Sequence, residues 1–295
     1  MFRIPAVAIF LMVFVAAGYA QDTTRTGWAT SLILDLTATQ TSYSDSWVGG
    51  EAGSVNWVSN LNGSAQRRLS PRFNFKSTLK MSFGQTLTQD EESKVWGRPV
   101  KSTDLIDWEN VGRFTLGGYV DPYVAFRLES QFLDASIKAK KRFFNPVKLT
   151  ESAGIARMLY ELEKNQVITR LGVASRQTIT RDIVDTMLNT ETNSATDAGL
   201  ESVTDVTWMF NERLAYTGKL TLYKALLYSK KDDFAGTESE DYWKAVDVNW
   251  ENIVNASVTK LITVNFYAQF LYDKQVSKHG RLKQTLGIGF VLKLV

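Results

Sequence analysis

The feature that most restricts this chain is a period-two alternation of apolar and polar residues, running from Gly27 almost to the end. Phe73, Phe75, Leu79, Met81, Phe83 and Leu87 alternate with Asn74, Lys76, Thr78, Lys80, Ser82 and Thr86. Val124, Phe126 and Leu128 alternate with Arg127 and Glu129, and Leu286, Ile288, Phe290 and Leu292 with Thr285, Gly287, Gly289 and Lys293. Only a strand sends successive side chains to opposite faces. The pattern predicts strands at 27–39, 52–66, 72–88, 105–119, 122–134, 148–162, 167–180, 199–210, 214–228, 242–256, 262–273 and 282–294. These exceed the usual five or six residues of soluble sheets, and a tilted strand crossing a bilayer needs only about 9–11.

The links between these strands are predicted to alternate in length. Short ones fall near Leu69–Pro71, Val120–Asp121, Glu163–Gln166, Asn211–Arg213 and Ser257–Leu261. Long polar ones fall at Gln40–Glu51, Gln89–Asp104, Ala135–Val147, Arg181–Ala198, Ser229–Asp241 and Lys274–Arg281. A soluble β-sandwich has no reason to sort its loops in this way. An outer-membrane barrel does, with tight periplasmic turns and long extracellular loops. The expected fold is therefore an all-β, antiparallel transmembrane β-barrel of about 12 strands. Composition alone would not reveal it: 44% of residues are hydrophobic and 22% charged. That resembles a soluble protein, because a barrel needs apolar residues only at alternate positions.

Residues 1–20, MFRIPAVAIFLMVFVAAGYA, read as a cleaved signal peptide. Arg3 begins it, an apolar run follows, and Gly18 and Ala20 sit where a signal peptidase reads small residues. Residues 21–295 are then a single barrel domain exported to the cell outer membrane. There is no cysteine, which excludes disulfides, thiolate metal sites and a cysteine nucleophile. A formal charge of +3 gives no reason to expect nucleic-acid binding.

With the apolar face on lipid, the polar face lines the lumen. The basic candidates are Lys76, Lys80, Arg113, Arg127, Arg157, Arg170 and Arg176. The acidic ones are Asp107, Glu109, Glu129, Glu161, Asp205, Asp247 and Glu251, with Glu151 and Glu201 beside them. Opposite signs should occupy different arcs of the wall. A channel could use the resulting field to select solutes. A network of ion pairs that plugs and braces the lumen competes with that reading, and a barrel of this width favours the plug. Lys224 shares the apolar face of Leu220, Leu222 and Leu226; either it snorkels to a headgroup or the register there is off by one. Aromatics gather near strand ends as two girdles, including Trp28, Tyr119, Tyr123 and Tyr160 on one side and Trp57, Tyr228 and Trp243 on the other.

Two stretches carry a resemblance. Ser44–Gln66 has a Ser-x-x-Trp element and a Gly-Gly-Glu element, here Trp47, Gly49, Gly50 and Glu51. Val246–Val276 and the segment after it hold Trp250-Glu251, Tyr272-Asp273 and the Gly287 and Gly289 pair. The chain resembles DUF3078, a family of uncharacterised outer-membrane β-barrels. That resemblance implies an exported barrel and carries over no activity, substrate or catalytic residue. Such barrels usually close on an aromatic residue read by the insertion machinery, whereas this chain ends Leu294-Val295.

No catalytic, cofactor or metal residue is assigned, and the chain is not expected to be an enzyme. His279 beside Ser277 could be imagined as base and nucleophile, but loop neighbours rarely achieve that geometry. The acid runs Asp90-Glu91-Glu92 and Glu238 to Asp241 read as solvated loop tips sooner than cation sites. The expected partners are outer-membrane lipid and lipopolysaccharide, and the barrel-assembly machinery during insertion.

Overall fold

The computed structural model describes residues 27–43, 52–137 and 139–293. Residues 1–20, expected to be a signal peptide, Trp47, Gly49, Gly50, Glu51 and the terminal Leu294-Val295 lie outside them. The described residues form fourteen strands: β1 (Ala29–Thr41), β2 (Ser54–Ser70), β3 (Phe73–Thr88), β4 (Val100–Phe114), β5 (Asp121–Ser130), β6 (Leu133–Asp134), β7 (Arg142–Phe143), β8 (Val147–Leu162), β9 (Asn165–Ile183), β10 (Thr190–Met209), β11 (Leu214–Tyr228), β12 (Val246–Ser257), β13 (Ile262–Tyr272) and β14 (Arg281–Lys293). Twelve of them close into one barrel, in the order β1-β14-β13-β12-β11-β10-β9-β8-β5-β4-β3-β2. Every neighbouring pair is antiparallel. The two-residue strands β6 and β7 form a small hairpin inside the β5–β8 connection.

Closure removes the free strand edges that would otherwise recruit other chains. It also sorts the side chains. Leu286 stands 72% exposed with Phe290 beside it on β14, and Val173, Leu226 and Trp250 are exposed on other strands of the same outer face. In water such a belt would be costly; in a bilayer it is the lipid contact. Inside, Asp35, Asp107, Arg170, Arg176 and Glu251 are buried. A closed, even-stranded antiparallel wall, apolar outside and polar inside, is that of an outer-membrane barrel.

The sequence reading needs four corrections. The connection predicted at Arg181–Ala198 is mostly strand, since β9 and β10 run on as a ribbon and turn only at 184–189. The ribbon carries threonines and charged residues on both faces, so it offers little apolar alternation to read. The short link at Val120–Asp121 is a longer connection, 115–120, so the alternation of short and long links is not strict. Tyr123 is no girdle residue; it points inward and is only 2% exposed. Glu151 lies exposed on the outer parity of β8, near its long-loop end, opposite Phe126 and Ser175.

Lys224 keeps the predicted register, opposite Leu200 and Val246 on the outer face. Its ammonium donates to the backbone carbonyl of Lys244, which lies in the connection between β11 and β12. It snorkels, and the cost of a cation on lipid is avoided.

Candidate functional site

The lumen is built in layers, and the register decides which side chains meet. At the waist, Lys80 of β3 reaches Glu251 of β12, Nζ to Oε2 at 2.9 Å. Around the wall these strands lie nearly opposite, five steps along β3-β2-β1-β14-β13-β12. Glu109 of β4 makes a second crossing, Oε2 to Lys219 Nζ of β11 at 2.5 Å, again five steps along β4-β5-β8-β9-β10-β11. The other oxygen of Glu109 accepts from Arg170 Nη2 at 2.8 Å, and Arg170 also holds Asp205 at 3.1 Å. Arg127 grips Asp107 with two parallel bonds, 2.8 and 2.9 Å, and touches Glu129 at 3.2 Å. Planar fork geometry makes such Arg–carboxylate pairs strong and directional. Together these bonds span the barrel from wall to wall.

Towards the long-loop end, Arg176 binds Asp197 through two bonds, 2.9 and 3.2 Å, and Asp247 at 2.7 Å. Its guanidinium lies 3.5 Å from the Tyr223 ring centroid, and the Tyr223 hydroxyl donates to Asp197. The cation is thus satisfied by two carboxylates and an aromatic face. Below the waist, on the short-turn side, a cavity of about 190 Å³ remains, whose lining includes Lys76, Arg113, Gln66, Asn74 and Gln166.

Most expected lumen residues occupy this interior, with two exceptions on β8. Arg157 is outside: it pairs with Thr169 on the outer parity, and its guanidinium sits 3.4 Å from the ring of Tyr119. Glu161 lies on the inner parity but exposed at the rim, opposite Gln166. A bulge between Met158 and Tyr160 shifts the phase, so one count cannot place both residues. Lys219 was missed although the signal was present, because it alternates with Leu220 and Leu222. Asp197 was missed because it fell in a segment read as loop.

Of the motif residues, Trp250 stands outward and exposed, Tyr272 shares that outer face, and Asp273 staples a loop by accepting from the Gln275 amide. Gly287 and Gly289 sit at the seam where β14 meets β1 through five residue pairs, Ile33↔Lys293 to Thr37↔Gly289. A Cβ on Gly289 would come within 2.7 Å of the Leu36 carbonyl. Lacking side chains, these glycines leave β14 bare on its inner face. Asn265 of β13 then reaches over it to Asp35 of β1 at 2.8 Å, and Asn60 of β2 reaches the same carboxylate at 3.1 Å.

Residues 38–135 match the family described as "Protein of unknown function (DUF3078)". The matched segment contains the Ser44–Gln66 stretch; the C-terminal stretch lies outside it. No curated protein matches the chain. Among solved structures, it is similar to the translocator domain of autotransporter NalP from Neisseria meningitidis, at 8% identity over 91% of this chain and 90% of that one, with TM-score 0.37. It is also similar to the COG4313 outer membrane channel from Pseudomonas putida F1, at 12% identity over 92% and 97%, with TM-score 0.40. A NanC porin gives 9% identity over 89% and 97%, with TM-score 0.34. Likeness at this level says nothing about what the lumen does.

The imagined hydrolytic pair does not form. The Ser277 hydroxyl donates to the His279 carbonyl at 2.9 Å and accepts from the His279 amide at 3.2 Å, both backbone contacts. The loop acids act as local staples: Asp90 accepts from the Ser93 amide and hydroxyl, and Glu238 pairs with Lys278. Among the described residues, no group of three His, Cys, Asp or Glu side chains could hold a metal ion.

Proposed function

We propose that this protein is a normally occluded barrel, which meets its surroundings through its loops and turns instead of conducting solutes freely. The supporting observation is the pair of wall-to-wall contacts, Lys80–Glu251 and Glu109–Lys219. Each connects strands five places apart around the wall, so the centre of the lumen is crossed by side chains. The lipid and lipopolysaccharide partners, and delivery by the assembly machinery, belong to the same reading, motivated by the outer apolar belt. So does a non-enzymatic role, since the charged groups at the waist are committed to one another.

A gated channel is the second reading, favoured by the cavity that reaches the waist ion pairs from the short-turn side. Planar-bilayer recording separates the two. The parent protein is expected to be silent at moderate voltage. Lys80→Ala combined with Lys219→Ala and both partner glutamates changed to Ala should give discrete steps. Stepwise conductance in the parent would overturn the occluded reading and establish the channel.

A further inference from the structure

The lumen below the waist carries an uneven charge. On the inner face of β2, β3 and β4, Arg68 is opposite Asn74, and Asn74 is opposite Arg113. In the next row Gln66 is opposite Lys76, and Lys76 is opposite Val111. Three cations thus stand in adjacent rows on three consecutive strands, which run about 4.8 Å apart. Little opposes them. Arg113 has one loose partner, Asp121, at 3.8 Å. Lys76 makes no ion pair among the described residues and is exposed to the lumen water. The acids in the same cavity are already engaged: Asp107 by Arg127, Glu109 by Lys219 and Arg170, and Asp205 by Arg170.

The cavity joins this wall to a neutral one, where Gln166, Thr207 and Thr217 face it. It reaches up to the waist pairs and down to residues beside the short turns. At about 190 Å³ it is smaller than the roughly 300–1,000 Å³ of drug-sized ligand sites. Like charges held this close repel, and low-dielectric walls focus their field on whatever anion enters. A guanidinium and an ammonium side by side, with amide donors in reach, suit an oxygen-rich anion.

The geometry points to a binding site for a small, multiply charged oxyanion, a phosphate or a carboxylate-bearing solute, entering from the short-turn end. Lys76 and Arg113 are its charge contacts, Arg68 draws it to the mouth, and Gln66 is a neutral donor. The site lies wholly below the waist and stands whether or not the waist ever opens.

The test is calorimetric titration of the full chain, folded in detergent, with inorganic phosphate and separately with succinate, at constant ionic strength against chloride. One saturable site is expected. The probe that saturates at the lower concentration identifies the anion class. Lys76→Gln or Arg113→Gln should weaken it at least tenfold, and the two together should abolish it. Arg157→Gln, on the outer wall, should leave it unchanged. Lys76→Gln relieves repulsion and breaks no ion pair, so it should melt at or above the parent's temperature without ligand, and both variants should lose the anion-dependent rise. No saturable uptake of either probe, or the same anion-dependent rise in the doubly substituted protein, would overturn the proposal.

Discussion

Close approach sets the tolerance of single positions in this wall. Gly154 and Gly172 face each other on β8 and β9, and Tyr123 of β5 is paired with Gly154. A Cβ on Gly172 would meet the Ala153 carbonyl at 2.3 Å and the Tyr123 hydroxyl at 2.8 Å. The two bare positions let the ring of Tyr123 lie against the wall. Gly172→Ala should therefore destabilise the barrel by about 1–3 kcal/mol, as overpacking does, read by urea unfolding in lipid vesicles. Lys224 tests depth. With its ammonium turned to the Lys244 carbonyl it belongs to the interface, and Lys224→Leu should shift stability by less than about 1 kcal/mol. A gain of about 2–4 kcal/mol would instead place it at the bilayer midplane. The inward or outward sense of Lys76, Lys80, Arg127 and Lys224 was legible in the sequence, because a strand's parity is local. Arg157 shares its parity with Leu149 and Ile155, so its outward sense was also written locally; only the phase beyond the Met158–Tyr160 bulge, where Glu161 lies, was not.

Among the elements, the connections carry the departures from regularity. The β9–β10 ribbon outruns its neighbours, and the β5–β8 connection leans on it. Arg142 of β7 donates to the Arg181 carbonyl at 2.6 Å and pairs with Asp134 of β6 at 2.7 Å, and Asn145 accepts from the Arg181 amide at 2.7 Å. The connections on either side of β12 and β13 are clasped by Glu238 and Lys278 at 2.5 Å. Hydrogen bonding and charge from Lys278 hold the Glu238 carboxyl below its ordinary range, while bonds to Glu238 and Tyr242 hold the Lys278 ammonium above its own. The depressed acid contributes above the usual glutamate range and is lost as pH falls through its lowered value. The raised base contributes below the usual lysine range and is lost as pH rises through its raised value. Cleavage by proteinase K within 229–245 should thus be slow at pH 7, quicken as pH falls below the ordinary glutamate range, and lose that contrast in Glu238→Gln.

For the whole molecule, the wall-to-wall pairs are cohesive only as pairs. Glu251→Gln alone removes the direct partner of the Lys80 ammonium, leaving only Asp107, itself bonded to Arg127, as a nearby acid, and should cost about 3 kcal/mol. Lys80→Met with Glu251→Met should be nearly neutral, since the charges leave together. Unfolding of the two variants side by side checks this; equal losses would mean that the pair does not act as a unit. The sum of such contacts keeps the centre closed, which is why bilayer recording bears on the function directly.

The number of barrel strands, the faces of most strands and many of the acids and bases that reach the interior were determined by the sequence, because alternation is written every two residues and needs no partner to be read. Which cation meets which carboxylate was decided by tertiary structure alone. Lys80 and Glu251 are 171 residues apart, and nothing local joins them. Only closure of β14 on β1, with the stagger that closure imposes, sets their heights in the lumen equal. The registers of β2 on β3 and β3 on β4 likewise leave Arg68, Lys76 and Arg113 on one wall with too few acids to match.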